Sequence, residues 1–248
     1  MGSFKGCLSR SARIVFFVSL VGVLSSSVQA QVTNLSNGGS ISFAYLTNST
    51  VSVLIGDKLF GNFSFQYLST ETNASDALVP ADLVLSALSS QAGFGVSIQL
   101  VGFEAQGMVS DDIKLTFSAQ VTNSLNLISG VDLSINGGAT GMGDANVSEN
   151  IYTHGIGDGN IANLFANITA SSATPEDYVT FSTPQAMIWI EKDLAVSGDP
   201  DGTACGNPAS NYAVISIIDQ TFTQVPEPST LALLAAGMAG LLIVRRRQ

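Results

Sequence analysis

Between Asp112 and Thr122 the chain alternates strictly: Ile113, Leu115, Phe117, Ala119 and Val121 on one parity, Lys114, Thr116, Ser118 and Gln120 on the other. A period of two places every second side chain on one face, so the stretch must be a strand with one buried and one wet face. The same alternation, rich in β-branched and aromatic residues, recurs in Gly39–Leu46, Asn62–Leu68, Gly95–Phe103, Tyr178–Phe181, Ala186–Val196 and Tyr212–Phe222. Asn126–Asn136 directs Val131, Leu133 and Ile135 inward and is expected to stop at the turn signal Asn136-Gly137-Gly138. In Pro80–Ser90, Leu83, Leu85 and Leu88 fit a strand or a short helix, and both stay open. Gly, Asn, Ser and Thr separate these runs, as turn chemistry requires. About ten short strands without a long helix imply an all-β domain, an antiparallel β-sandwich that is jelly-roll-like, with a barrel as the nearest rival. No fixed-period repeat points to a solenoid or propeller.

The two ends follow a different logic. Of the 248 residues 46% are hydrophobic and 11% charged, close to a membrane protein's composition, but the apolar excess is concentrated at the termini. Lys5, Arg10 and Arg13 precede the apolar run Ile14–Leu24, and Val28-Gln29-Ala30 supplies a small-residue cleavage pattern. Residues 1–30 therefore read as a secretory signal helix cut between Ala30 and Gln31. Its apolar run spans only about 16 Å as a helix, short of a bilayer's hydrocarbon core. At the other end Pro226-Glu227-Pro228 leads into an apolar stretch and then Arg245-Arg246-Arg247. The prolines keep the motif extended. Residues 229–244 are expected to form a short transmembrane helix, with the three arginines orienting it to the cytoplasmic side.

That C-terminal layout, residues 225–248, resembles the PEP-CTERM sorting signal of exported bacterial proteins. The resemblance implies export and recognition of the tail by an exosortase-type membrane protease-transpeptidase. It also implies removal of the tail near Pro226-Glu227-Pro228. The expected course is a precursor anchored in the inner membrane of a Gram-negative bacterium, then release to the cell surface or an extracellular matrix rich in exopolysaccharide. A plain, unprocessed membrane anchor is the alternative. More loosely, the run from Lys192-Asp193 through Ile215–Phe222 is similar to small exported domains that precede such tails, which implies a β-sandwich and no particular activity.

The region between, residues 31–224, reads as one domain. Residues 31–225 hold three lysines (Lys58, Lys114, Lys192), no arginine and eighteen carboxylates, a formal charge near −15. A surface with three lysines cannot neutralise a run of phosphates, which excludes nucleic acid as a partner. Only Cys205 remains after the signal peptide, so internal disulfides and CxxC metal sites are ruled out by count. His154 is the sole histidine, in the glycine-rich run Thr153–Gly159 that reads as a surface loop, and no Gly-x-Ser-x-Gly elbow accompanies it. Glu71, Glu104, Glu149, Glu176 and Glu191, with thirteen aspartates, offer material for a hydrolytic carboxylate pair, but dispersed acids equally describe an acidic surface. Trp189 stands alone in an apolar strand, where core packing is the expectation. Asp158-Gly159-Asn160 and Asp199-Pro200-Asp201-Gly202 gather hard oxygen ligands, making Asp158, Asp199 and Asp201 weak calcium candidates; ordinary turns explain them as well. Six Asn-x-Ser/Thr triplets, from Asn34 to Asn167, indicate an amide- and hydroxyl-rich surface suited to hydrated polysaccharide. No cofactor and no catalytic residue is expected. The expected function is a non-enzymatic surface or matrix protein that uses the export machinery and associates with exopolysaccharide. A carbohydrate-binding or calcium-dependent adhesion module and an exported hydrolase are the alternatives.

Overall fold

In the computed structural model, residues 31–226 are described apart from Asn37, Ser49, 69–76, 91–92, Ser124 and 200–209, together with Met238. The expected signal helix (1–30) and, apart from Met238, the expected transmembrane helix (229–244) lie outside the described residues. Among the described residues no helix is long and apolar enough to cross a membrane.

Among the described residues fifteen strands form two sheets facing each other. The larger sheet runs, edge to edge, β1 (Gln31–Asn34), β3 (Val51–Ile55), β4 (Lys58–Tyr67), β8 (Ser110–Val121), β14 (Met187–Ser197), β10 (Asp144–Gly155), β11 (Asp158–Thr169) and β12 (Ala173–Thr174). The smaller runs β13 (Glu176–Gln185), β9 (Asn126–Thr140), β15 (Tyr212–Pro226), β6 (Gly93–Leu100), β5 (Leu83–Ser90) and β2 (Ser40–Ser42), with β7 (Glu104–Gln106) also on β15. Every pairing is antiparallel except β1 with β3, which is parallel. From β8 to β10, and again from β13 to β15, successive strands alternate between the sheets, so consecutive segments bury their apolar faces against each other. The all-β sandwich expected from the alternation is present, with more strands, and longer ones, than its turn signals suggest.

The core lies between the sheets, where every second residue of the central strands is buried: Ile113, Leu115 and Phe117 on β8, Val131 and Leu133 on β9, Ile188, Ile190 and Leu194 on β14. Phe60 bridges the layers, its ring 6.4 Å from Phe117 in its own sheet and 5.6 Å from Phe222 in the other. A bulge in β4 shifts the register between Gly61 and Ser64. Asn62 takes φ +56° there and its amide donates to Ser118 Oγ at 2.9 Å. The extra residue turns Phe63 inward to stack on Phe117 at 5.9 Å.

Three local expectations need correction. Gly39–Leu46 is only in part a strand: after β2 the chain turns into a one-turn helix, Phe43–Leu46, which buries Phe43 and Leu46 three residues apart. Asn136-Gly137-Gly138 is no turn, because β9 runs through it to Thr140. Gly137 sits where a Cβ would fall 2.1 Å from the Val214 carbonyl oxygen, so this glycine serves a close approach of strands beside the β15 bulge at Ser216. The sequence His154–Gly159 is a tight hairpin rather than an open loop, β10 ending at Gly155 and β11 starting at Asp158. Pro80–Ser90, open from sequence, divides into a 3-10 turn at Pro80–Asp82 and strand β5. β15 continues to Pro226, which pairs with Asn126, so the sorting motif begins on the last residue of the sheet.

Candidate functional site: the outer face of the larger sheet

The strands β8, β14, β10 and β11 bring their outward residues into register as rows. One row is Ser118, Trp189, Tyr152 and Asn160; the next is Thr116, Glu191, Asn150 and Asn163. Lys114, Asp193, Ser148 and Phe165 follow, then Asp112, Ala195, Asn146 and Asn167. The face is thus a grid of amides, hydroxyls and carboxylates carrying three aromatic rings. Trp189 is half-buried on this outer surface, which corrects the expectation of core packing. The apolar residues of β14 that suggested a core position are its sequence neighbours Ile188 and Ile190, which point the opposite way. Tyr152 lies beside it at 9% exposure, and Phe165 stands out at 52%.

The electrostatics of this face are acidic with one cation. Lys114 Nζ lies 3.6 Å from Glu191 Oε2. Burial and the Glu191 carboxylate hold the Tyr152 phenol above its usual range, leaving it a neutral donor. Burial, and after it the neighbouring Asp193 carboxyl, raises Asp112 to about 6. Asp144 takes amide donors from Asn146, at 3.3 Å, and from Asn167.

The other candidates are scattered. His154 is exposed near the tip of the β10–β11 hairpin, its Nδ1 2.9 Å from Thr153 Oγ1. It borders a cleft of about 350 Å³ lined also by Ile161, Phe181, Ser182 and Gln185, with no carboxylate in the lining. Asp158 is exposed on the same hairpin, while Asp199 is buried at 6% exposure; Asp201 and Cys205 lie outside the described residues. Among the described residues no group of three or more His, Cys, Asp or Glu could hold a metal ion. Glu104 accepts from the Tyr212 hydroxyl at 2.7 Å, Glu176 is exposed at the start of β13, and Glu71 lies outside the described residues. Pro226 closes β15; Glu227, Pro228, Arg245, Arg246 and Arg247 lie outside the described residues, as does Ala30, while Gln31 opens β1.

Two of the three lysines are not on the surface at all. Lys58 is buried, paired with Asp57 at 3.2 Å and set 5.7 Å from the Phe94 ring centroid. Lys192 sits in the middle of the sandwich, donating to Glu149 Oε2 on β10 and to Gln220 Oε1 on β15 of the opposite sheet. The three side chains are 0%, 1% and 0% exposed. Parity could have revealed all of them. Lys192 is in phase with Ile190 and Leu194, Glu149 with Val147 and Ile151, and Gln220 with Ile218 and Phe222.

No curated protein matches the chain. Among solved structures it is similar to the carbohydrate-binding module TmCBM27, described for mannan recognition, with 9% identity over 76% of this chain and 95% of that one, at a TM-score of 0.31. TmCBM61 in complex with β-1,4-galactotriose matches with 7% identity over 65% and 88%, TM-score 0.30. CsCBM6-3 from Clostridium stercorarium in complex with cellobiose matches with 10% identity over 77% and 97%, TM-score 0.24. Superpositions this distant carry no inference about what this chain binds. The C-terminal segment is a different matter: residues 224–247 match the family of the PEP-CTERM protein-sorting motif, which implies export and processing by an exosortase-type system from a membrane-anchored precursor. The chain carries a PEP-CTERM sorting motif at its C-terminal end.

Proposed function

We propose that this is an exported, non-enzymatic protein of the cell surface or extracellular matrix that associates with exopolysaccharide. The sorting motif at residues 224–247 is the observation that carries the reading. A signal peptide ending at Ala30, a transmembrane helix over 229–244 and cleavage near Pro226-Glu227-Pro228 complete the route, with Gln31 as the mature N-terminus. The non-enzymatic part rests on dispersal: the lone histidine and the cleft it borders lie apart from the described glutamates, and catalysis needs them convergent.

The test is mass spectrometry of both termini of the protein recovered from the extracellular fraction of producing cells. The expected product begins at Gln31 and lacks the arginine cluster. Extracellular protein that still ends in Arg245-Arg246-Arg247 overturns the processing.

One observation favours a more specific reading, saccharide binding on the outer face of the larger sheet. Trp189 and Phe165 offer ring faces for the apolar C–H surfaces of sugars, while Glu191, Asn150 and Asn163 offer acceptors and donors for hydroxyls. Affinity electrophoresis in the cognate exopolysaccharide checks it. Trp189→Ala and Phe165→Ala should each weaken retardation by roughly two- to tenfold. Unchanged mobility of both variants removes this face from the account.

A further inference from the structure

The Lys192–Glu149–Gln220 cluster has no part in the outer-face reading, yet it joins an amine, a carboxyl and an amide, all buried, between the sheets. We propose that Lys192 and Gln220 condense into an intramolecular amide bond, with Glu149 moving the protons, so that a covalent staple joins the two sheets.

The geometry carries this. Lys192 and Glu149 face each other in register across β14 and β10, and Gln220 reaches them from the opposite sheet. The Gln220 amide has a fixed orientation: its Nε2 donates to the Asp132 backbone carbonyl at 3.1 Å, while its Oε1 accepts from Lys192. The amine is thereby held against the carbonyl end of the amide, and the leaving nitrogen points to a separate acceptor. The strand neighbours of Lys192 and Gln220 in register are Leu115, Leu133 and Val96, all buried and apolar. Water, the competing nucleophile, is excluded, and the reactants are pre-positioned.

The protonation states agree with this role. Burial pushes Lys192 down and Glu149 up, each opposed by attraction to the other, so burial favours transfer of the Nζ proton to the carboxylate. The result is a neutral amine with a free lone pair beside a carboxylic acid. Glu149 Oε1 is buried with no hydrogen-bond partner, so it can take a proton without losing a bond.

The step balances without any co-reactant. The Nζ lone pair attacks Gln220 Cδ, the C=O π pair moves to Oε1, and Glu149 protonates that oxygen. The Glu149 carboxylate then takes a proton from the now cationic Nζ and delivers it to Nε2. The Cδ–Nε2 bond breaks with its electron pair leaving on nitrogen, Oε1 returns its proton to Glu149, and ammonia departs. Lysine amine plus glutamine amide becomes a secondary amide plus ammonia, with Glu149 regenerated.

The experiment is peptide mapping of the full-length protein after denaturation and digestion. Expected is a branched species joining the segments that contain Lys192 and Gln220, lighter by one ammonia than their sum. Mapping is required because Asn-Gly pairs such as Asn37-Gly38 and Asn136-Gly137, or Gln31 at a new N-terminus, also lose ammonia on cyclising. Glu149→Gln, which keeps the side-chain shape, should retain the β-sheet circular dichroism spectrum and yield only linear peptides. Linear peptides with unmodified Lys192 and Gln220 from the wild type overturn the proposal, as does a Lys192–Glu149 link marked by loss of water. A Glu149→Gln protein that still links overturns the role given to Glu149.

Discussion

Glu191 and Lys192 are adjacent in the chain, and each belongs to a Glu–Lys pair of the larger sheet, but the pairs occupy opposite faces. Outside, Lys114 and Glu191 sit 3.6 Å apart with their side chains 31% and 17% exposed. Inside, Lys192 and Glu149 are both fully buried, and Gln220 from the other sheet completes their hydrogen bonding. The chemistry is the same and the solvent is not. Water screens the outer pair and would rehydrate either partner left alone, so its net worth is small. The inner pair has no such recourse: removing one member strands a buried polar partner in the core. The outer face also carries two neighbouring carboxyls, Asp112 and Asp193, with the attraction of Lys114 partly offsetting their repulsion.

The contrast can be broken at several points. The largest effect is expected for Lys192→Ala, which leaves Glu149 buried without its hydrogen-bond partner. It should cost about 3–5 kcal/mol in urea or guanidinium unfolding, and more if the amide staple is present. A loss under about 1 kcal/mol would place the inner pair on the same footing as the outer one.

Asp112→Asn is expected to act next, and in the opposite direction. Asp112 stands at about 6 when folded against the usual 3.8. Below about pH 4 both folded and unfolded chains hold the proton; between the two values only the folded chain does; above about 6 neither does. Its contribution therefore declines as pH rises from 4 through 6 and is fully unfavourable above that. The asparagine variant should match wild type near pH 3 and be more stable at pH 8, by at most about 1 kcal/mol because solvent screens a partly exposed group. Thermal melts at the two pH values read this. Equal or lower stability of the variant at pH 8 would mean the carboxyl pair is no burden to the fold.

The smallest effect belongs to Lys114→Ala, expected at about 0.2–1 kcal/mol and fading as salt is added. A salt-insensitive loss of several kcal/mol would show that the outer face is dry in function, as though covered by something in solution.

Much of this was legible in the sequence and some was not. Asp112–Val121 and Met187–Ser197 are strands because alternation leaves no other way to separate their apolar and polar residues. The outward position of Trp189 was equally written in its parity with Glu191 and Asp193, but residue type argued the other way and misled. At Asn136-Gly137-Gly138 a turn signature lies inside a strand, because its glycine answers to a neighbouring carbonyl rather than to a bend. Of the candidate site, single residues could be read and rows could not, since a row needs the register of four strands spread between Ser110 and Ser197.

The sequence by itself determined that the chain is built of two-faced strands, that it is acidic, and that it ends in a sorting motif. These follow from periodicity, composition and contiguous residues, all local quantities. The tertiary structure alone decided which strands share a sheet and that Glu149, Lys192 and Gln220 meet. Parity assigns each of the three to the apolar face of its own strand. Only the pairing of β10 with β14, and the packing of β15 across from them, brings the lone amine, acid and amide into one water-free space. Such polar groups can remain there because their partners arrive from elsewhere in the chain, and no local stretch of sequence contains that fact.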